Sequence, residues 1–423
     1  MTTPSNGAPG ALTVVRNPLR VGPTPEAPEA PEALKAREAP AAPEASPMPS
    51  VAEFHARLPG YAATPLLDLP EAAARLRVGR LLVKDESSRL GLPAFKMLGA
   101  SWASYRSLAE RYQAITGTPL ASWSTVEELA DLIEPARPVD LATATDGNHG
   151  RAVARFARLL GLGARIFVPD GTADARIDAI VSEGASCEVV DGTYGDAVAR
   201  AGQEASAACL VVSDTSWPGY DTVPRWVIDG YSTIFAEIDA QRAADGLPDP
   251  DVVVVPIGVG ALAAAVAQWY RRPALAHPPV LIGVEPDTAN CVMASALAGH
   301  LVEVPGPHHS VMAGLNCGEA SPVAWPRVSA AFDWFVAGGD DLAVAGMRLL
   351  AAEGVVSGES GACTVGALAA LSAGAGHEAG LDLAPDAVVL ALSTEGATDP
   401  PFYRSAVGRT PAEVAAGRAP ATP

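Results

Sequence analysis

From Asp140 onward the chain alternates short apolar runs with longer segments of helical spacing. LATAT predicts a strand, and the pattern from His149 to Leu160 predicts a helix stopped by Gly161. ARIFVPD predicts the next strand, followed by a helix from Ala173 to Glu183 that stops at Gly184. CEVVDG, an Ala-rich helix and LVVSDT continue the rhythm. Short apolar strands separated by helices imply a parallel sheet covered on its faces. The rhythm breaks at SWPGYDTVPRW, whose aromatics and prolines mark a crossing between domains. A second parallel set follows: DVVVVP, a helix over Ala261–Arg271, PVLIGVEP, and a helix from Ala289 to near Gly299. AVVLALS, from Ala387 to Ser393, is the last clear strand. Upstream, RLLVK (Arg80 to Lys84) predicts a strand and Phe95 to Arg111 a helix, while Ser124 with Glu127 has the spacing of a capping box.

Residues 1–48 differ in kind. Runs such as PTPEAPEAPEA, from Pro23, hold few large apolar side chains and cannot offset the entropy of ordering. The expected architecture is α/β with two domains, each a mostly parallel sheet flanked by helices. Residues 49–110 and 217–423 form the larger domain, 111–216 the smaller, and 1–48 a disordered tail.

Composition narrows the function. The 423 residues are 49% hydrophobic, which suffices for two cores, and the formal net charge of -19 argues against a nucleic-acid partner. The five cysteines, Cys187, Cys209, Cys291, Cys317 and Cys363, are odd in number and lack CxxC spacing, against a disulfide framework or a metal site. Cys291 and Cys317 both fall near the loops discussed next, which leaves a pair between them open, although two buried free thiols are the expectation. No apolar run reaches membrane-spanning length and no signal-peptide pattern opens the chain, so the expected location is the cytoplasm.

Four loops at strand ends carry residues with chemistry, where ligands of open α/β sheets bind. In GLPAFKMLGAS, Lys96 heads a helix among apolar and small residues; desolvation there is expected to lower its pKa and free its amine for Schiff-base chemistry. A plain surface lysine is the competing reading. In ATATDGNHG, the residues Thr145, Asp146, Gly147, Asn148 and His149 open a helix whose amides suit a carboxylate, and Asn148 can hydrogen-bond a phenolic oxygen. An ordinary Asp-Gly turn is the alternative. VVVVPIGVGALAAAV offers a phosphate cradle, but Gly258, Gly260 and Ala263, with Glu285 downstream, also fit a dinucleotide fingerprint. In ALSTEGATD, the hydroxyl of Ser393 or Thr394 can face a pyridine nitrogen. Asp214, ending LVVSD before the aromatic crossing, is placed to reach the cleft, or to cap a turn.

Together these motifs resemble the tryptophan-synthase-β or threonine-dehydratase fold type of pyridoxal-phosphate enzymes. Within it, the runs KDESSRLGLPAFKMLGAS, TATDGNHGRAVA, SDTSWPGY, VEPDTANC, MAGLNCGE, SGESGA and LSTEGATDPPFYR resemble the diaminopropionate ammonia-lyases from about Val51 to Arg409. The resemblance implies pyridoxal 5'-phosphate bound in the larger domain, with Lys96 carrying it. It implies Asn148 on the ring oxygen, and Gly258, Val259, Gly260, Ala261 and Leu262 around the phosphate. It implies Ser393, or else Thr394, at the pyridine nitrogen. Val259 and Ala261 stand where the fold type commonly has glycine. Catalytic roles fall to Lys96, Asp146 and Asp214, and substrate contacts to Thr145, Asp146, Gly147 and His149. Relatives acting on serine or threonine commonly have a small hydroxyl residue where Asp146 stands. The implied reaction is α,β-elimination of 2,3-diaminopropionate to pyruvate and ammonia, by a homodimer acting on a small amino acid. A serine or threonine dehydratase or a β-replacing synthase is the nearer alternative. A nicotinamide-dependent oxidoreductase would leave Lys96, the DGNHG loop and Ser393 unexplained, and a dead binding protein would leave all the chemical residues so.

Overall fold

The structure, a computed structural model, describes residues 12–20, 48–273 and 275–417. Its strands are β1 (Thr13–Arg16), β2 (Leu66–Asp68), β3 (Arg80–Asp85), β4 (Asp140–Ala144), β5 (Gly163–Pro169), β6 (Ser186–Val190), β7 (Cys209–Val211), β8 (Val252–Pro256), β9 (Val280–Pro286), β10 (Trp334–Gly338) and β11 (Val388–Ser393). They form two sheets, ordered β1-β10-β9-β8-β11-β3-β2 and β6-β5-β4-β7. The small sheet is parallel throughout. In the large one only the edge strands β1 and β2 run antiparallel.

The inner strands follow from their composition. β8 is VVVVP and buried along its whole length. β-branched residues favour the extended backbone, and a parallel sheet sheathed by helices hides both faces, so no polar alternation appears. β9 and β11 read the same way. Adjacent strands β8 and β11 end side by side, and the loops that follow them open onto one crevice with the loop after β4.

Several expectations shift on inspection. The helix carrying Lys96 at its start runs Met97–Thr116, longer than its apolar pattern suggested, and ends on Gly117 in the left-handed region. The next helix is capped by Thr125, whose side chain accepts from Glu128 N–H, one residue beyond Ser124 and Glu127. The helix pair Asp340–Ala352 and Glu359–Ala370, and strand β10, had no clear signal amid their many Ala and Gly residues.

The tail needs correction in one place. Thr13–Arg16 pairs antiparallel with β10, Thr13 opposite Ala337. Asn17 is buried and donates to the carbonyls of Ser329 (2.8 Å) and Phe332 (2.7 Å), and Arg20 pairs with Asp333 at 2.9 Å. A short TVVR strand was lost in a window dominated by Pro, Ala and Glu. The PTPEAPEAPEA run lies outside the described residues. All five cysteines are free thiols, Cys291 and Cys317 among them. Among the described residues no helix is long and apolar enough to cross a membrane.

Candidate active site

The crevice is lined by Phe95 and Lys96, the loop Thr145–His149, Arg176, Tyr194, Asp214, the stretch from Pro256 to Ala263, Cys317, Ser360, Thr394 and Glu395, and encloses about 740 Å³ counted to its open mouth. Every residue that the pyridoxal-phosphate resemblance implied lines it except Ser393.

Lys96 precedes the first turn of its helix, and its Nζ lies 2.6 Å from Asp214 Oδ2. Tyr194 donates its hydroxyl to the other oxygen of Asp214 at 2.9 Å. Burial alone would depress the lysine, as expected from its apolar setting, but the Asp214 carboxylate outweighs it and the pKa is raised. The expectation of a lowered pKa therefore fails: the sequence does not show that a carboxylate 118 residues away arrives beside the amine. Reciprocally, Asp214 is pulled toward the acid form by burial, yet Lys96, then His149, hold it below the ordinary carboxylate range.

Asp146 behaves oppositely. Its side chain has no hydrogen-bond partner among the described residues, and burial pushes its carboxyl up to about 7, against the pull of Arg176. Arg176 instead donates to the Asp146 backbone carbonyl at 3.2 Å. Gly147, at φ +140, makes the turn that lets the helix Asn148–Leu159 begin with its amides toward the crevice; Thr145 Oγ1 accepts from Gly147 N–H at 2.9 Å and fixes that turn. His149 Nε2 bonds the Val212 carbonyl at 2.8 Å, which assigns the proton to Nε2 and leaves Nδ1 bare and buried. Burial lowers the His149 pKa.

After β8, Gly260 adopts φ +95 as it caps the helix Ala261–Tyr270. Among the described residues the amides of Gly258 and Gly260 donate to no protein acceptor, the amide of Val259 faces the Cys317 thiol, and the first helical turn adds its unpaired N–H groups. No side chain of this loop is charged, and a Cβ on Gly258 would sit 3.0 Å from the Gly314 carbonyl. The arrangement is an anion cradle made of backbone. Val259 and Ala261 carry negative φ and so do not disturb it. Glu285, the acid that a dinucleotide site would need, is fully buried, and its carboxylate accepts from Val292 N–H and Met293 N–H at 2.8 Å each. It caps the helix Cys291–Ala298 and does not line the crevice.

At the end of β11, Ser393 turns inward and donates to Ser357 Oγ at 2.7 Å, whereas Thr394 lines the crevice. Alternation along the strand decides between the two neighbours, and the chain's register could not be read from the sequence. Asn148 donates from Nδ2 to Glu395 Oε2 at 2.5 Å. Sequence reasoning passed over Glu395, Tyr194 and Arg176, while Cys317, expected near these loops, does line the crevice. Glu395 stands in the quoted LSTEG run beside hydroxyls that drew the reading, and Tyr194 looks like an ordinary first-turn residue behind the Thr193–Asp196 capping box.

The pieces fit pyridoxal phosphate: a lysine amine, an anion cradle that begins at Gly258, far downstream in sequence but facing the same crevice, an asparagine amide, and a threonine hydroxyl at a neighbouring strand end. The model for the family described as pyridoxal-phosphate dependent enzyme matches residues 57–394. Diaminopropionate ammonia-lyase of Escherichia coli (strain K12) is 39% identical over 367 residues, covering 84% of this chain and 89% of that protein. The Salmonella typhimurium enzyme of the same name is 38% identical, covering 84% and 91%. The crystal structure of the Escherichia coli enzyme in complex with an aminoacrylate-PLP azomethine reaction intermediate superposes with a TM-score of 0.78 at 35% identity, covering 94% of this chain and 97% of that one. With its sequence matched over this extent and its crevice built to hold the cofactor, the chain belongs to the pyridoxal-phosphate dependent enzymes, and within them to the diaminopropionate ammonia-lyase family.

Proposed function

We propose that this protein cleaves 2,3-diaminopropionate by α,β-elimination, giving pyruvate and two molecules of ammonia. The observation that carries the reading is Asp146: an unpartnered carboxyl, raised to about 7, lining the same crevice as Lys96. A buried acid of this kind needs a proton or a cationic partner, and a diamino acid brings a cation that serine lacks.

Lys96 holds the cofactor through its amine, the amides of Gly258 to Leu262 hold its phosphate, Asn148 reaches its ring oxygen, and Thr394, rather than Ser393, its pyridine nitrogen. Bound there, pyridoxal phosphate supplies the sink for the electron pair left on Cα. The amides that open the Asn148 helix, that of His149 among them, with the Thr145 turn, seat the substrate carboxylate. Asp146 takes the α-proton of one enantiomer, and Lys96 works from the opposite face. The β-group, held by Asp146 as an ammonium, leaves as ammonia with no further proton, and the proton taken from Cα passes from Asp146 to that ammonia; a carboxyl near 7 suits both directions at neutral pH. Asp214, kept charged, positions Lys96 and is released from it when the lysine moves. The freed aminoacrylate takes up water and yields pyruvate and the second ammonia.

We assign the cofactor to the domain of residues 49–110 and 217–423, with 111–216 as its smaller partner, and read the working unit as a cytoplasmic homodimer; light scattering of the purified chain tests the pairing. A coupled pyruvate assay on D- and L-diaminopropionate, D- and L-serine and threonine tests the reaction. Turnover highest on a diaminopropionate enantiomer supports the reading, and preference for serine or threonine replaces it with a dehydratase.

A further inference from the structure

Beyond Asp146 the loops enclose a vestibule of about 1350 Å³ counted to its open mouth. Asp146, Arg176 and Tyr194 line both this vestibule and the crevice that holds Lys96, so the two open into each other. The vestibule wall is acidic: Asp146, Asp170, Asp340, Glu359 and Asp399 stand against one arginine, Arg176, and no lysine. Three of these acids are engaged by the chain itself. Asp340 Oδ1 accepts from the Ser310 hydroxyl at 2.6 Å and Val311 N–H at 3.0 Å, Asp399 Oδ1 from Phe402 N–H at 3.1 Å, and Asp170 Oδ1 from Gly171 N–H at 2.9 Å. Arg176 donates to the Asp146 carbonyl at 3.2 Å and the Thr398 hydroxyl at 3.3 Å, and forms no ion pair among the described residues. Asp146 belongs to the reacting centre, whereas Glu359 has no part in it. Glu359 opens the helix Glu359–Ala370, is 2% exposed, and its Oε2 has no hydrogen-bond partner. Its neighbour Ser360 lines the crevice and Glu359 the vestibule, so this helix start stands at the join of the two. The positive end of a helix suits an acid in its first turn, but an acid serving the helix alone has no reason to keep a bare oxygen out of water.

We propose that this vestibule is a second binding site, in which Glu359 takes the ammonium group of a small molecule passing between solvent and Lys96. The ligand is a compact ammonium, carried by a diamino acid on its way in or released as ammonium ion on its way out. The substrate half of the inference rests on the diaminopropionate reading. An ammonium brings several N–H donors and a charge, and Glu359 offers an oxygen that lacks a donor. A buried carboxylate is tolerated only with a proton or a cation. The other acids of the wall raise the local concentration of cations, from which serine, with no net charge, gains little. A proton competes with the ammonium for Glu359. Burial first, and the Glu395 carboxylate next, push its carboxyl up to about 7, with Arg176 opposing the rise and Asp399 adding to it. The other titratable groups that line the vestibule with it are Asp146, Asp170, Asp340, Tyr194, His308 and His309. Ammonium should therefore bind more tightly as pH rises through about 7.

The test uses the full chain with its cofactor bound. Melting temperatures are compared in ammonium chloride and in tetramethylammonium chloride at equal ionic strength, the second cation having no N–H to donate. At pH 8, ammonium at about ten times its dissociation constant should raise the melting temperature by about 1–2 °C, and by less at pH 6. Glu359→Gln should remove the difference, as should Glu359→Met if the first variant does not fold. A shift that survives the substitution, or one absent from the unmodified protein, overturns the site. Kinetics then separate the two occupants. If the diamino acid uses the site, Glu359→Gln should raise KM for 2,3-diaminopropionate about tenfold, the loss of one hydrogen bond to a charged group, with kcat and the KM for serine within about twofold. Glu359→Asp should recover part of that loss. A thermal shift lost in Glu359→Gln with KM unmoved assigns the site to released ammonium ion and overturns substrate capture, as do equal rises in KM for both substrates. If the unmodified protein prefers serine, the reaction proposed above fails, and the thermal comparison still decides the site.

Discussion

Two clusters of charged side chains, one rooted before Lys96 and one at it, are built to opposite ends. In the first, Arg89 is fully buried and bonds Glu86 at 2.6 Å and Glu237 at 2.6 Å, while Lys84 reaches Glu237 at 2.8 Å. Thr64 adds its hydroxyl to Glu86 at 2.6 Å, and Gln241 bonds Lys84 at 3.0 Å. Donors meet acceptors throughout, as a buried ionic network must if it is to be tolerated. This network braces the turn-rich stretch that leads from β3 to Lys96. In the second cluster only Lys96, Asp214 and Tyr194 are matched. Asp146, His149 Nδ1 and Glu359 Oε2 are left without partners. Both clusters are built from acidic and basic side chains, the second opening more to solvent; the difference lies in the unspent hydrogen-bonding capacity. A closed network holds the backbone, and an open one waits for cofactor and substrate.

The sharpest way to break the closed cluster is Arg89→Met. Glu86 would be left buried without its cation and Glu237 with Lys84 alone, and unfolding in urea should show a loss of about 3–5 kcal/mol. In the open cluster, Lys96→Ala should abolish turnover and any absorbance from a cofactor bound to the lysine, while strand Asp214 beside a neutral residue. The destabilisation should be smaller than for Arg89→Met, because the crevice admits water to Asp214. A larger loss for Lys96→Ala would reverse the comparison.

The two clusters should also respond to pH in opposite directions. Burial works against the charge of Glu237, but Arg89 and Lys84 hold its pKa at about 2. A depressed carboxylate gives stability that is present above the ordinary glutamate value and is lost as pH falls through about 2. Asp146, raised to about 7, acts in the other sense: stability declines as pH rises from the ordinary aspartate value through about 7. Thermal melts should therefore show Asp146→Asn gaining on the parent between pH 4 and 8, and Glu237→Gln narrowing its deficit only below pH 4. Parallel curves for the two variants would erase the distinction. The smallest effect is expected at the sheet edge. Removing residues 1–20 takes away β1 and the two bonds of Asn17, neither of which touches either cluster, so chemical denaturation should register a loss on the order of 1–3 kcal/mol with turnover retained.

The legibility of the sequence follows the same division. Strand and helix rhythm was readable because parallel strands such as β8 must be continuously apolar, and the four loops were readable because they follow such strands. The membership of the open cluster was half readable. Lys96, Asp146, Asn148 and the Gly258–Leu262 cradle sit in loops with their own local patterns. Tyr194 and Glu395 have none, since their role exists only where β4, β7 and β11 bring distant segments together. Ser393 against Thr394 is a matter of which face a strand residue takes, one step of register that apolar composition does not encode. The raised pKa of Lys96 and the bracing role of Arg89 depend on contacts of 118 and 148 residues' separation, beyond any local pattern.

The measurement that bears most directly on the account is the substrate partition of Asp146→Ser. The relevant quantity is the ratio of kcat/KM for 2,3-diaminopropionate to that for serine, taken for each enantiomer and compared with the parent. If the unpartnered carboxyl selects the β-ammonium and carries the proton taken from Cα, this ratio falls by about a hundredfold or more, the scale of general acid–base catalysis, with serine turnover kept or improved. An unchanged ratio, with both substrates slowed alike or diaminopropionate still cleaved in both enantiomers, would contradict the reading of the open cluster as a site made for a diamino acid.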